Sequence, residues 1–187
     1  MSTRATYTFV LPYGGNVTMY IHHDGYPEGA ARYLLAAHLS ESRGSLADRF
    51  HRANDRAELM VGEPGDAQYA YAIHSDGTLS ARKRDPGGPW APFFAGHYAE
   101  FINRYAPEDA LALAGGPLKL VKTSRFVDRR EWCTRGQLER RHAAAIEVLN
   151  SYRERFPKST GNIQYCESEV ASLALALLEY DGGEVIE

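Results

Sequence analysis

Apolar and polar residues alternate in two short stretches near the start of the chain. Tyr7, Phe9 and Leu11 alternate with Thr6, Thr8 and Val10; Val17, Met19 and Ile21 alternate with Thr18, Tyr20 and His22. A period of two predicts half-buried strands, about Arg4–Leu11 and Asn16–His23. A two-residue loop between them would set apolar against polar positions. A three-residue loop, Tyr13-Gly14-Gly15, pairs Tyr7 with Ile21, Phe9 with Met19 and Leu11 with Val17, and Gly15 supplies the left-handed residue. In that register Arg4 lies opposite Asp24 and Thr6 opposite His22. A second hairpin is expected where Gln68–His74 and Thr78–Arg84 flank Asp76-Gly77. Pairing Ser75 with Thr78 puts Tyr69 and Tyr71 on one face with Arg82 and Arg84.

Elsewhere the period is helical. Pro27 fits a first helical position with Glu28 behind it, predicting a helix over about Pro27–Ser42. Ser45 with Asp48 opens another to about Asn54, and a short strand fits Ala57–Val61. Asp85-Pro86-Gly87-Gly88-Pro89 breaks the chain and offers a seam at 85–92 within an otherwise single domain, 1–187. Helices are expected over Pro92–Tyr105 and from Pro107 to Ala114, with a strand over Leu118–Val127. Thr134 and Gln137 form a capping box before a long helix with Leu138, His142, Ile146, Leu149 and Phe156 along one side. The Leu- and Ala-rich stretch Asn162–Tyr180 reads as a buried final helix. Hairpins mixed with runs of helices predict an α+β fold, an antiparallel sheet packed against several helices.

The 187 residues, 44% hydrophobic and 24% charged, suit one ordinary domain. The net charge of −3 argues against a global basic field for nucleic acid. The charge is uneven, however: Lys119–Lys158 holds 11 Lys or Arg against 5 Asp or Glu, whereas the segment after Cys166 is acidic. Such asymmetry marks either surfaces that pair with each other inside the fold or a docking face for an anion. Cys133 and Cys166 belong to no Cys-x-x-Cys pair, no signal-peptide profile opens the chain, and no apolar run reaches spanning length. A cytoplasmic protein with free thiols is expected, away from membranes.

Three groups of residues carry candidate chemistry. Arg4, His22, His23, Asp24 and Tyr26 form the first: as an active site, Arg4 holds an anion, a histidine acts as acid or base and Asp24 orients it. The structural alternative is a cross-strand Arg4–Asp24 ion pair beside an Asp24-Gly25 turn into the helix. His22 and Asp24 offer two metal ligands, with His38 and His51 on helices, but spacing places no third, so neither metal nor cofactor is expected. The second group is Tyr69, Tyr71, Arg82 and Arg84, residue types enriched at interfaces. The third is Arg125, Arg129, Arg130, Arg135, Arg140 and Arg141, able to grip phosphate or an acidic partner, or to form a solvated face with local glutamates. Trp90 and Trp132 flank loops as potential anchors.

Ser2, Thr3, Arg4, Tyr7, His22, Asp24, Tyr26, Pro27 and Gly29 together resemble a set of uncharacterised bacterial and phage proteins. These open Met-Gly/Ser-Thr-Arg, continue with a Tyr-rich hairpin and then show Asp-x-Tyr-Pro-x-Gly. The resemblance covers about thirty residues and carries no catalytic roles; it implies an accessory or counter-defence protein. No phosphate loop, nucleophile elbow, metal signature or dinucleotide fingerprint is present in the sequence. The expected function is therefore non-enzymatic binding of a protein or ribonucleoprotein partner, an anti-CRISPR inhibitor being one case. The alternatives are a small hydrolase or transferase centred on the first hairpin, and a direct nucleic-acid binder.

Overall fold

The computed structural model describes residues 3–62, 64–124, 127 and 129–182. The fold is α+β. Its contacts divide the chain into two compact units, Met1–Asp109 and Ala110–Glu187. The Asp85–Trp90 stretch is a loop between two strands of the first unit.

The first unit is a six-stranded sheet with helices on one face. The strands are β1 (Ala5–Val10), β2 (Asn16–Ile21), β3 (Glu58–Met60), β4 (Tyr69–His74), β5 (Thr78–Lys83) and β6 (Ala91–His97). Their order is β3-β2-β1-β4-β5-β6, and every pair is antiparallel except β1 with β4. The sheet is thus mostly antiparallel and built from hairpins, as expected, with that one parallel pair at its centre. The helices are α1 (Pro27–Leu39), α2 (Leu46–Ala53) and α3 (Tyr98–Tyr105). Tyr7 and Phe9 meet Phe50 of α2 at ring distances of 4.7 and 5.2 Å, and Tyr71 meets Phe101 of α3 at 5.6 Å. The apolar positions of every central strand thus point towards the helices, as the period of two requires.

Both hairpin registers differ from expectation. In the first, Tyr7 pairs with Met19 and Phe9 with Val17, so Arg4 falls opposite His22 rather than Asp24. The loop is Pro12-Tyr13-Gly14, closed by Gly14 N–H donating to the Leu11 carbonyl at 3.2 Å. Proline explains the shift: it cannot donate to the ladder, and its fixed φ suits the second position of a turn. In the second, Tyr71 pairs with Ala81 and Ile73 with Leu79. The loop is again three residues, Ser75-Asp76-Gly77, with Asp76 accepting from Thr78 N–H at 2.8 Å and Gly77 at φ +86°. One residue of slip exchanges the two faces. Tyr69 and Tyr71 therefore lie on the helix side, and Arg82 lies on the other.

The sequence 91–97 is strand, not the first half of a helix. Edge pairing with β5 overrides its local preference, and a bulge between Ala81 and Arg82 in the register accommodates it. The helix begins only after His97, whose Nδ1 accepts from Ala99 N–H at 3.1 Å while Glu100 accepts from His97 N–H. Burial holds the His97 pKa below its usual value, with Glu100 and Asp76 opposing. A depressed histidine pKa adds stability that is complete above the unfolded value of about 6.5 and is lost as pH falls through the folded one. The thermal midpoint is expected to fall further between about pH 7 and about pH 5 in the wild type than in His97→Asn, which keeps a cap without this titration. Parallel pH profiles of the two proteins would rule out this role.

The second unit contains the end of α4 (Pro107–Ala114), a hairpin of β7 (Lys119–Lys122) and β8 (Arg130–Cys133), and two long antiparallel helices, α5 (Arg135–Arg155) and α6 (Thr160–Tyr180). The Thr134/Gln137 capping box forms as expected. β8 is a strand that the pattern did not signal. A small core gathers Val121, Cys133, Leu138, Leu173, Ala176 and Tyr180. Contrary to expectation, α6 is not buried all round, and Ile146 and Phe156 of the supposed inner stripe of α5 are 37% and 56% exposed. Both cysteines are free and buried. Among the described residues no helix is long and apolar enough to cross a membrane.

Candidate functional site

The helix-free face of the first unit's sheet collects the chemistry that the sequence placed elsewhere. Alternation puts Thr6 and Thr8 of β1 with Arg4 just before it, Thr18 and Tyr20 of β2 with His22 just after it, Ala70 and Ala72 of β4, and Ser80 and Arg82 of β5 on this side. Between Arg4 at one end and Val10 and His74 at the other, the two central strands offer only small side chains, and Tyr20 and Arg82 stand on the flanking strands.

Residues 64–67 fold over the foot of this face, and two latches hold them. On one side Asp66 accepts a hydrogen bond from Tyr20 Oη at 2.9 Å and pairs with the Arg4 guanidinium. These partners, the Tyr20 hydrogen bond foremost, lower the Asp66 pKa. Burial and the same carboxylate push the Tyr20 phenol up to about 12. On the other side Arg84 donates from Nε to the Ala67 carbonyl at 2.7 Å and from Nη2 to those of Gly65 and Pro64 at 2.7 and 3.4 Å. This cover explains why Thr6, Tyr20 and Ala70 are buried on a face that no helix protects.

Arg84 also forms the base of an aromatic platform. Its guanidinium carbon lies 4.4 Å from the centre of the Trp90 ring, and that of Arg82 lies 5.5 Å away. Arg82 is exposed and Trp90 half-buried. Three carbonyls fix Arg84, so the indole rests on a cation with little freedom to move. A cation over a Trp face within about 6 Å is attracted by the ring quadrupole.

The first predicted group is divided by this arrangement. Arg4 is engaged by Asp66, not by Asp24. His22 packs edge-on against Tyr20 at 4.6 Å and approaches Glu58 at 3.4 Å. His23 lies at the chain's turn, with its carbonyl 3.4 Å from the Tyr33 hydroxyl. Asp24 adopts φ +54° at the entry to α1, and Tyr26 is the N-cap residue of that helix. In the second group, Tyr69 and Tyr71 are separated from Arg82 and Arg84 by the thickness of the sheet.

Arg129, Arg130, Arg135 and Arg141 of the second unit are paired within it, and Arg140 is exposed on α5. Arg129 and Arg141 meet Glu131 at 2.5 and 2.8 Å, Arg130 meets Glu179 at 3.3 Å, and Arg135 meets Asp181 at 3.1 Å and also pairs with Glu139. Arg125 lies outside the described residues. The basic and acidic segments thus neutralise each other where α6 runs back past β8 and α5. Partially exposed pairs of this kind add little stability individually.

Sequence reasoning missed Asp66 as the partner of Arg4 and Tyr20. Pro64-Gly65-Asp66 signals a turn, but nothing in one sequence says which face that turn covers. Among the described residues no three His, Cys, Asp or Glu side chains come close enough to hold a metal ion. No protein-family model matches the chain, and no curated protein or solved structure is similar to it.

Proposed function

We propose that this is a non-enzymatic binding protein that docks a protein or ribonucleoprotein partner through the Trp90 platform. One observation carries the reading: Trp90 stacks on Arg84, which three backbone carbonyls immobilise, with exposed Arg82 beside it. Trp and Arg are the residues that most often dominate interface energetics. A side chain already held in place loses less entropy on association. Arg82 supplies a cation at the rim for acidic groups of the partner. The resemblance of the opening residues to bacterial and phage proteins supports an accessory role, with inhibition of a defence complex as one form.

Affinity capture from the native host, followed by mass spectrometry, tests the reading. Trp90→Ala is expected to reduce recovery of the partner by roughly thirtyfold, and Arg82→Ala by less. Equal recovery with both variants would remove the platform from the interface. Recovery of nucleic acid alone, with steep loss on raising salt, would favour the nucleic-acid alternative.

A further inference from the structure

The α5–α6 hairpin has one face that no described residue of its own unit covers. Arg141 of α5 reaches Glu131 and Cys133 of β8, and Glu179 of α6 accepts from Lys122 N–H of β7 at 3.0 Å. These contacts define the side that meets the β-hairpin. At 100° per residue, Ala143 and Ile146 of α5 and Ala174 of α6 point the opposite way, flanked by Asn150, Ala171 and Leu178. Ile146 is 37% exposed and Leu178 is 45% exposed. Ala143, Asn150 and Ala174 are exposed as well.

We propose that two copies of the chain associate through this face, with the two-fold axis running along the hairpin so that α5 of each copy lies on α6 of the other. Three observations select a second copy as the occupant. The first is shape. The Arg153–Glu167 and Arg135–Asp181 ion pairs fix which parts of the helices are level, and they set Ile146 level with Ala171 and Ala174. Ile146 of one copy then enters the notch between those two alanines of the other, and Leu178 covers Ala143. Large meets small at each layer, as packed helices require.

The second is charge. On this face α5 presents Arg135 and Arg153 beside Glu139, whereas residues 160–180 carry no Lys or Arg and α6 presents Glu167. Laying α5 on the other α6 brings these two arginines towards acidic groups, with Arg153 beside Glu167 of the second copy. Both side chains remain about half exposed in their own hairpin and are free to share partners. At the opposite end Glu139 comes near Asp181 of the second copy, and Arg135, which pairs with both within its own chain, stands between them. The third is area. Two 21-residue helices side by side, each about 31 Å long and about 10 Å wide, offer about 600 Å² per copy. The pair of faces buries about 1,200 Å², the lower bound for a specific, stable interface.

Sedimentation velocity of the full chain over a dilution series tests the proposal. The wild type is expected to sediment as a dimer that dissociates on dilution. Ile146→Arg and Ala174→Arg are each expected to give monomer at every concentration with unchanged helical circular dichroism. Val148→Arg provides the control: this residue is 48% exposed on the same helix but on the side of Arg141, and its substitution should leave the dimer intact. A wild type that is monomeric throughout would overturn the proposal. So would a dimer that survives both Arg variants, or one lost equally with Val148→Arg.

Discussion

Gly29→Ala is expected to cost about 3 kcal/mol of stability, the upper end of what overpacking a tight site produces. A Cβ at this position would lie 1.9 Å from the Asp24 carbonyl oxygen and 2.8 Å from its carbon. The obstacle is backbone, so a rotamer change cannot relieve it. Nor is the Asp24 corner free to withdraw. Gly25 N–H donates to the Thr3 carbonyl at 2.9 Å, and the Gly25 carbonyl accepts from the buried Tyr71 hydroxyl at 2.9 Å. Gly25 is itself pressed against β1, where a Cβ would meet that of Ala5 at 2.6 Å. Urea unfolding followed by circular dichroism measures the effect. A loss below about 1 kcal/mol would mean that the corner relaxes as a unit and is not fixed by these contacts.

The same corner accounts for the Asp-x-Tyr-Pro-x-Gly spacing physically. Asp24 takes the left-handed conformation that aspartate tolerates better than most residues. Pro27 occupies the first helical turn, where its missing N–H costs nothing. Gly29 leaves room for the Asp24 carbonyl. The pattern is thus a recipe for turning a strand into a helix within a few residues.

Elements were legible in the sequence where the signal is local. Ser45 with Asp48 and Thr134 with Gln137 cap α2 and α5 by the reciprocal hydrogen bonds their spacing implies. The strands of both hairpins were legible from their alternation, yet their registers were not. In the first hairpin the shift was by two residues, so the faces survived while every cross-strand partner changed, that of Arg4 included. In the second it was by one, and the supposed Tyr69–Arg84 surface dissolved. The deciding features were Pro12, which excludes itself from a ladder, and the Asp76 side chain, which builds a three-residue loop out of an apparent two-residue turn. Long-range choices left no local mark. The parallel pairing of β1 with β4 brings residues 64–67 across the sheet, and only then does Asp66 find Tyr20 and Arg4. The charge asymmetry between the basic segment and the acidic end was visible in the sequence. That it resolves as ion pairs inside one unit depends on α5 and α6 running antiparallel.

Deleting one hydroxyl from each of two stacked tyrosines is expected to shift stability in opposite directions. The rings of Tyr7 and Tyr71 stack at 5.1 Å on the helix side of the sheet, and both are essentially inaccessible to solvent. Burial pushes the pKa of each phenol well up, so both remain neutral across the physiological range. Their hydrogen bonding differs. Tyr71 donates to the Gly25 carbonyl, whereas the Tyr7 hydroxyl is buried without a partner among the described residues. Tyr71→Phe strands a buried carbonyl and is expected to lose about 1–2 kcal/mol. Tyr7→Phe removes a desolvated, unsatisfied hydroxyl while keeping the ring contacts to Phe50 and Tyr33, and is expected to gain about 1 kcal/mol. Denaturant midpoints of the two variants against the wild type decide the matter, because the group removed, one hydroxyl, is the same in both. Equal destabilisation would place an internal water on the Tyr7 hydroxyl and make it a second support of the strand-to-helix corner. A gain for Tyr7→Phe would show that β1 carries this hydroxyl at a cost to the core, and that the corner rests on Tyr71 alone.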